Sequence, residues 1–376
     1  MTTALSIGDF VERFGEEPGY LDFARVGPVG RSVRDEESAQ SSLLGRARFG
    51  TLTTLHEQDA RVREAVASAI GFRADQVVFQ PNTSQGLMHA LFGMEGEVAV
   101  SRREFPSLTF ATTRSAEALG RVVPLWFEPD HGRITPGNLR DQLTDSTVAV
   151  AVSLVDFRTG HLIDLEGIRE VVGDRVLVLD AIQGFGVVDA PYELADVVVS
   201  GGQKWVRAGW GTGFLALSDR AIDRISPVFS GMSATGLDEL PLGDVPPATH
   251  GAHGFQVSYP DPIAQARLAA ALEEIAGVGI TAISERLAVR VDSVIDLADE
   301  FGIEVLSPRE RSERAGIVVV QPPADQLTVL TASLHNYGVT ATIREGAVRL
   351  SPHVTTSGET LEMVRASFMS FRTAVA

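Results

Sequence analysis

Apolar and polar positions fall into two textures along the chain. Runs rich in β-branched residues, such as VAVAVSLV and RVLVLD, are continuous rather than alternating, which is the pattern of strands buried on both faces. They predict strands at 76–80, 97–101, 121–127, 147–155, 175–180, 196–200 and 213–217. Between them, LHEQDARVREAVASAIGF sets Leu55, Val62, Val66, Ala69 and Ile70 near helical spacing, and GLMHALFGM continues the pattern after Ser84. Strands interleaved with amphipathic helices predict an α/β body: a mostly parallel central sheet with helices on both faces.

The texture changes at 229–262, where SGMSATGLDELPLGDVPPATHGAHG is rich in Gly, Pro and Thr and reads as a long loop. Beyond it, helical patterns at 263–278 and 283–301 precede strand candidates at 316–321, 338–343 and 347–351, then a last amphipathic helix at 358–373. The expected division is an N-terminal segment at 1–20, a large α/β domain at 21–250 and a smaller C-terminal α+β domain at 251–376.

Composition removes several functions. With 32 basic against 49 acidic residues, the net charge of -17 argues against a nucleic-acid partner. There is no apolar run of the length a spanning helix needs, about 18 residues. The start, MTTALSIGDFVERFGEE, lacks the cationic and apolar regions of a signal peptide. A cytoplasmic protein without a membrane partner is expected. Cysteine is absent, excluding disulfides, thiolate metal sites and a cysteine nucleophile. The eight histidines show no metal-ligand spacing, and GWGTGF lacks the strand and helix context of a dinucleotide loop.

Of the 32 basic residues only Lys204 is a lysine. A genome favouring arginine codons explains the bias but not the exception. Lysine can lose its proton when desolvated and form an imine, which arginine cannot. Asp180 ends a predicted buried strand, with Gln183 three residues on, and the next strand leads into the loop carrying Lys204. Ligands collect at the carboxyl ends of strands in open α/β sheets, so an acid and an amine there converge on one pocket. A turn or helix cap is the plainer reading of Asp180 alone.

D-A-x-Q-G at 180–184, A-D at 195–196 and Lys204-Trp205 together resemble the class-V aminotransferase family of fold-type I pyridoxal-phosphate enzymes. That family includes cysteine desulfurases, kynureninase, isopenicillin-N epimerase-like proteins and small-amino-acid aminotransferases. The resemblance implies pyridoxal 5'-phosphate as cofactor, an α-amino acid as substrate and a homodimer. It implies that Lys204 forms the internal aldimine, that Asp180 pairs with the pyridinium nitrogen and that Gln183 approaches the phenolic oxygen.

Other segments carry the resemblance further. VVFQPNTSQGLMHAL resembles the family's phosphate cup at Thr83 and Ser84, which taken alone would be an ordinary helix cap. In SRREFPSLTF, Phe105 follows a glutamate where a residue stacks on the cofactor ring; a core phenylalanine is the alternative. After VSLVDFRTG, either Asp156 or Phe157 fills a position usually held by Asn, so Asp156 is a candidate substrate contact or a turn acid. R-x-S-P-H places Arg349 at the substrate α-carboxylate, with Arg344 the nearby alternative. Gln203 stands where a phosphate-binding histidine is common, and Ser200 lies one place from a usual hydroxyl position now held by Gly201. In GFQVSYPDP, Tyr259, or Ser258 beside it, would reach the partner subunit's phosphate.

The expected activity is that of an aminotransferase. A C–S lyase, epimerase or kynureninase-like hydrolase without a catalytic cysteine is the alternative within the family. A retired fold serving as a binding module is the competing class, against which Asp180, Gln183 and Lys204 together argue.

Overall fold

The computed structural model describes residues 5–237, 241 and 243–376. The first residues of the expected N-terminal segment, and residues 238–240 and 242 of the Gly/Pro-rich loop, lie outside the described residues. Seven strands form the large sheet: β1 (Val77–Phe79), β2 (Gly96–Ser101), β3 (Val122–Phe127), β4 (Thr147–Ser153), β5 (Val176–Asp180), β6 (Val197–Gly201) and β7 (Gly213–Leu217). Their order is β1-β7-β6-β5-β4-β2-β3. The run from β3 to β6 is parallel, and only β7 pairs antiparallel, with both neighbours. This is the mostly parallel sheet that the continuous apolar runs predict.

The continuous apolar runs have a direct cause. Leu177 and Leu179 of β5 join one core and Val176 and Val178 the other, so both faces of the strand are covered. Each such side chain contributes about 1.5–3 kcal/mol when fully buried. In the helix Thr51–Ile70, Leu55, Val62, Val66 and Ile70 are buried as the spacing predicts, but Ala67 takes the inward place expected of Ala69.

The second sheet joins β8 (Glu304–Val305), β9 (Val318–Gln321), β10 (Thr342–Arg344) and β11 (Ala347–Leu350), all antiparallel, in the order β10-β11-β9-β8. Here the strand expected at 338–343 is corrected: a helix, Leu327–Asn336, precedes a turn at Gly338, and β10 begins later. Tyr20 and Asp22 bridge to Thr340 and Ser351, so the segment placed at the start of the large domain runs beside the small sheet. The helix Pro262–Val278, assigned to the small domain, packs against the helices Arg31–Arg46 and Thr51–Ile70 of the large one. Among the described residues, no helix is long and apolar enough to cross a membrane.

Candidate active site

β5 and β6 are parallel neighbours with Asp180 opposite Val199. The acid ending one strand and the loop leaving the next therefore open on the same sheet edge. That loop is fixed by its own backbone: Gly202 N–H donates to the Thr212 carbonyl at 2.8 Å and Ala208 N–H to the Gly202 carbonyl at 2.8 Å. Residues before the first long helix press on it from outside. Gly27 N–H donates to the Gln203 carbonyl at 2.8 Å, and a Cβ on Gly27 would stand 2.1 Å from the Lys204 carbonyl oxygen.

A cavity of about 220 Å³ lies at this edge. Of the residues singled out from sequence, Thr83, Ser84, Phe105, Asp180, Gln183, Gln203, Lys204, Arg349 and the alternative Arg344 line it. Ala24, Arg25, Asn82, Ser107, Ile182 and Trp210 complete the wall.

Lys204 is 9% exposed, and its Nζ lies 5.5 Å from the centre of the Phe105 ring. Burial pulls the amine down to about 8; Asp180 opposes the shift, and Arg349 and Arg344 add to it. Asp180 is 1% exposed. Its Oδ1 accepts from Ile182 N–H at 3.0 Å, while Oδ2 has no partner. Burial pushes this carboxyl up to about 6, against the Ile182 N–H and the Lys204 charge. A buried oxygen left open is costly unless something else fills it.

At the other end, Thr83 and Ser84 begin the helix Thr83–Gly93, capped by Asn82, whose side chain accepts from Gln85 N–H at 3.0 Å. The hydroxyl of Thr83 is buried without a partner, and that of Ser84 lies 2.7 Å from the Ser107 hydroxyl. Gly201 keeps this corner open, because a Cβ there would meet Gln203 Oε1 at 2.3 Å and Thr83 Oγ1 at 3.2 Å. Ser200 is turned away, bonded to the Gly201 carbonyl at 3.3 Å and outside the cavity wall. Gln183 holds the site together: its Nε2 donates to the Ala24 carbonyl at 3.0 Å and its Oε1 accepts from Trp205 Nε1 at 2.9 Å.

Two predicted residues are not brought in. The Asp156 carboxylate accepts from the N–H groups of Arg158 and Thr159 at 2.8 and 2.7 Å and from the Thr159 hydroxyl at 3.0 Å. Through Oδ1 it closes a turn, the second of the two roles expected of it, and it does not line the cavity. Phe157 does not line the cavity either, but it backs two residues that do, edge-on to Phe105 at 5.1 Å and with its carbonyl 3.4 Å from Arg349 Nη1. Tyr259 is 65% exposed and stacks on His56 at 5.9 Å, on the outer surface of its own subunit.

Arg349, on β11, is buried. It reaches Asp22 at 3.3 Å and the Thr342 hydroxyl at 3.4 Å, and its Nε has no partner. Burial lowers its pKa, and Asp22 counters this. Asp22 was not legible in the sequence, nor was the support beneath the lysine loop. There Arg207 adopts a left-handed φ of 62°. Its guanidinium bonds Glu16 and the Thr355 hydroxyl at 3.0 Å and lies 3.8 Å over the Phe14 ring. Burial pushes the Glu16 carboxyl up, but hydrogen bonds from Arg207 and Thr355 outweigh it and leave the pKa lowered. Trp205 and Phe23 both stack on buried His353.

Opposed amine and carboxylate at adjacent strand ends, beside an open-hydroxyl helix start, are the arrangement of a fold-type I pyridoxal-phosphate enzyme. The chain belongs to the class-V aminotransferase family: the sequence model of that family, Aminotransferase class-V, matches residues 44–375. It is 27% identical over 281 residues to the kynureninase of Deinococcus radiodurans, covering 71% of this chain and 66% of that protein's length. An uncharacterized aminotransferase of Bacillus subtilis is 24% identical over 309 residues, covering 79% of each chain. In fold, the apo structure of the cysteine desulfurase from Thermococcus onnurineus superposes with a TM-score of 0.82 at 21% identity, covering 92% of each chain.

Pyridoxal phosphate is the family's cofactor, and the residues present fit it. The open Asp180 Oδ2, the unpartnered Thr83 hydroxyl and the corner held open by Gly201 are buried polar positions that the chain itself leaves unfilled.

Proposed function

We propose that this chain is an aminotransferase acting on an α-amino acid. When bound, pyridoxal phosphate supplies the electron sink that makes the proton on an amino acid's Cα removable. The chain's residues supply the rest. Asp180 presents its open carboxylate oxygen to the ring nitrogen, and Phe105 offers an apolar face. Thr83, Ser84, Gln203 and the N–H groups opening the helix Thr83–Gly93 hold the phosphate. Arg349 would orient the substrate α-carboxylate, and Lys204 would take the Cα proton and deliver it to the cofactor carbon across the shared nitrogen.

One observation carries the choice of reaction. Among the described residues, Lys204 and Asp180 are the only ionisable side chains on the cavity wall apart from arginines. With Asp180 at the ring nitrogen, one amine is left to move protons near the substrate, which suits a transfer between two carbons. Phe105 carries no proton for a leaving group. Sulfur relay through a thiol is excluded because the chain has no cysteine.

A second reading, kynureninase-like hydrolysis or C–S lysis, draws support from the kynureninase similarity. Incubating the protein with amino acids plus 2-oxo acids separates the two. Transamination yields a new amino acid and a new oxo acid in equal amounts. Pyruvate, sulfide, alanine or racemised substrate formed from one amino acid alone would overturn the aminotransferase reading. The working form in this account is a cytoplasmic homodimer, with Tyr259 reaching the partner's site.

A further inference from the structure

Arg349 is not the only guanidinium at the cavity: Arg25 and Arg344 also line it. Charge compensation among them is incomplete. Asp22 serves two of the three, at 3.3 Å from Arg349 and 4.0 Å from Arg25. Glu345, adjacent to Arg344 in sequence, is turned to Arg158 at 3.9 Å. The cavity wall thus bears Arg25, Arg344, Arg349 and Lys204 against one acid, Asp180, in a chain whose net charge is -17. A cationic site in an acidic protein concentrates anions by its local field.

Position separates the three. Arg349 is buried and held by the Phe157 carbonyl at 3.4 Å. Arg344 is exposed and lies 6.0 Å over the ring of the same Phe157. Arg25 has 72% of its side chain exposed. One guanidinium therefore lies inside and two stand at the mouth, with Phe157 between Arg349 and Arg344. An α-amino acid with an uncharged side chain has one carboxylate and would leave the outer pair without a partner.

Resting on the pyridoxal-phosphate reading of this site, we propose that the preferred substrate is an amino acid whose side chain ends in a second carboxylate. Arg344, with Arg25 on the same cavity wall, holds that carboxylate at the mouth, while Arg349 takes the α-carboxylate. Guanidinium forks recognise carboxylates through paired, charge-assisted hydrogen bonds and discriminate against the isosteric amide.

The test uses the cofactor-loaded enzyme and reads the change in its visible absorption as amino acid is added. Aspartate and glutamate should half-saturate at concentrations about tenfold or more below asparagine and glutamine, a margin one charge-assisted bond supplies. Arg344→Gln should bring the acid-to-amide ratio toward one, and Arg344→Lys should retain part of it. Equal half-saturation by acids and amides in the unaltered enzyme would overturn the proposal. So would a ratio left intact by both Arg344→Gln and Arg25→Gln, or a preference for aromatic amino acids. Those failures leave the cofactor reading standing; a protein with no visible absorption in excess pyridoxal phosphate overturns both.

Discussion

At Asp180, burial and chemistry oppose each other. The carboxyl's ordinary value is 3.8 and the folded chain raises it to about 6 by burial, so between those values the folded state binds more protons than the unfolded. Stability therefore falls as pH rises from about 4 through 6, and the cost is fully present above 6. Asp180→Asn should stabilise the cofactor-free protein at pH 8 by an amount on the order of 2 kcal/mol, measured by denaturant unfolding. Turnover should fall about a hundredfold or more. Loss of both stability and turnover would contradict the assigned role.

Lys204 shifts the other way, from 10.5 to about 8. The rate at which the cofactor-free protein captures pyridoxal phosphate should rise about tenfold per pH unit up to about 8 and then level off. A rise continuing to pH 10 would mean an exposed amine. Lys204 and Asp180 were legible because one is a compositional exception and the other ends a continuous apolar run. Asp22 was not: it meets Arg349 from 327 residues away, and no local pattern announces such a partner. Whether Asp156 turns into its own loop or outward was not legible either, because its Oδ1 bonds to Arg158 and Thr159 depend on loop geometry that spacing alone does not resolve.

At the scale of elements, the lysine loop rests on a buried pair. Arg207 and Glu16 are 191 residues apart, and the guanidinium is 1% exposed. Removing one partner of a buried pair strands the other's charge. Arg207→Ala should lower stability by about 3 kcal/mol, measured by urea unfolding. The double variant Arg207→Met with Glu16→Gln should cost less than the sum of the singles. Additive losses would mean the two act independently. The strands of the large sheet were readable because burial on both faces leaves an unbroken apolar run. The helix Arg31–Arg46 was not, since Val33 is its only buried residue and no apolar stripe marks it. The helix Leu327–Asn336 was missed because LTVLTASLHN mixes β-branched residues into its turns.

At the scale of the molecule, contacts between distant segments were not legible in the sequence. The segment at 20–24 belongs with the small sheet through long-range bridges. One outer surface bears Phe49, Leu52 and Tyr259, all exposed, with Tyr259 stacked on His56 one helical turn after Leu52. We propose that this surface meets a second copy. Light scattering should give twice the chain mass, and Phe49→Glu with Leu52→Glu should reduce it and weaken cofactor retention together. A monomer that retains cofactor fully would remove the partner from the site. The central claim, that this is a pyridoxal-phosphate enzyme working through its one lysine, is tested most directly by borohydride reduction of the loaded protein followed by peptide mapping. A single cofactor adduct on Lys204 is expected, lost together with the visible absorption in Lys204→Ala; an adduct elsewhere, or absorption that survives that substitution, would mean that this lysine does not carry the cofactor.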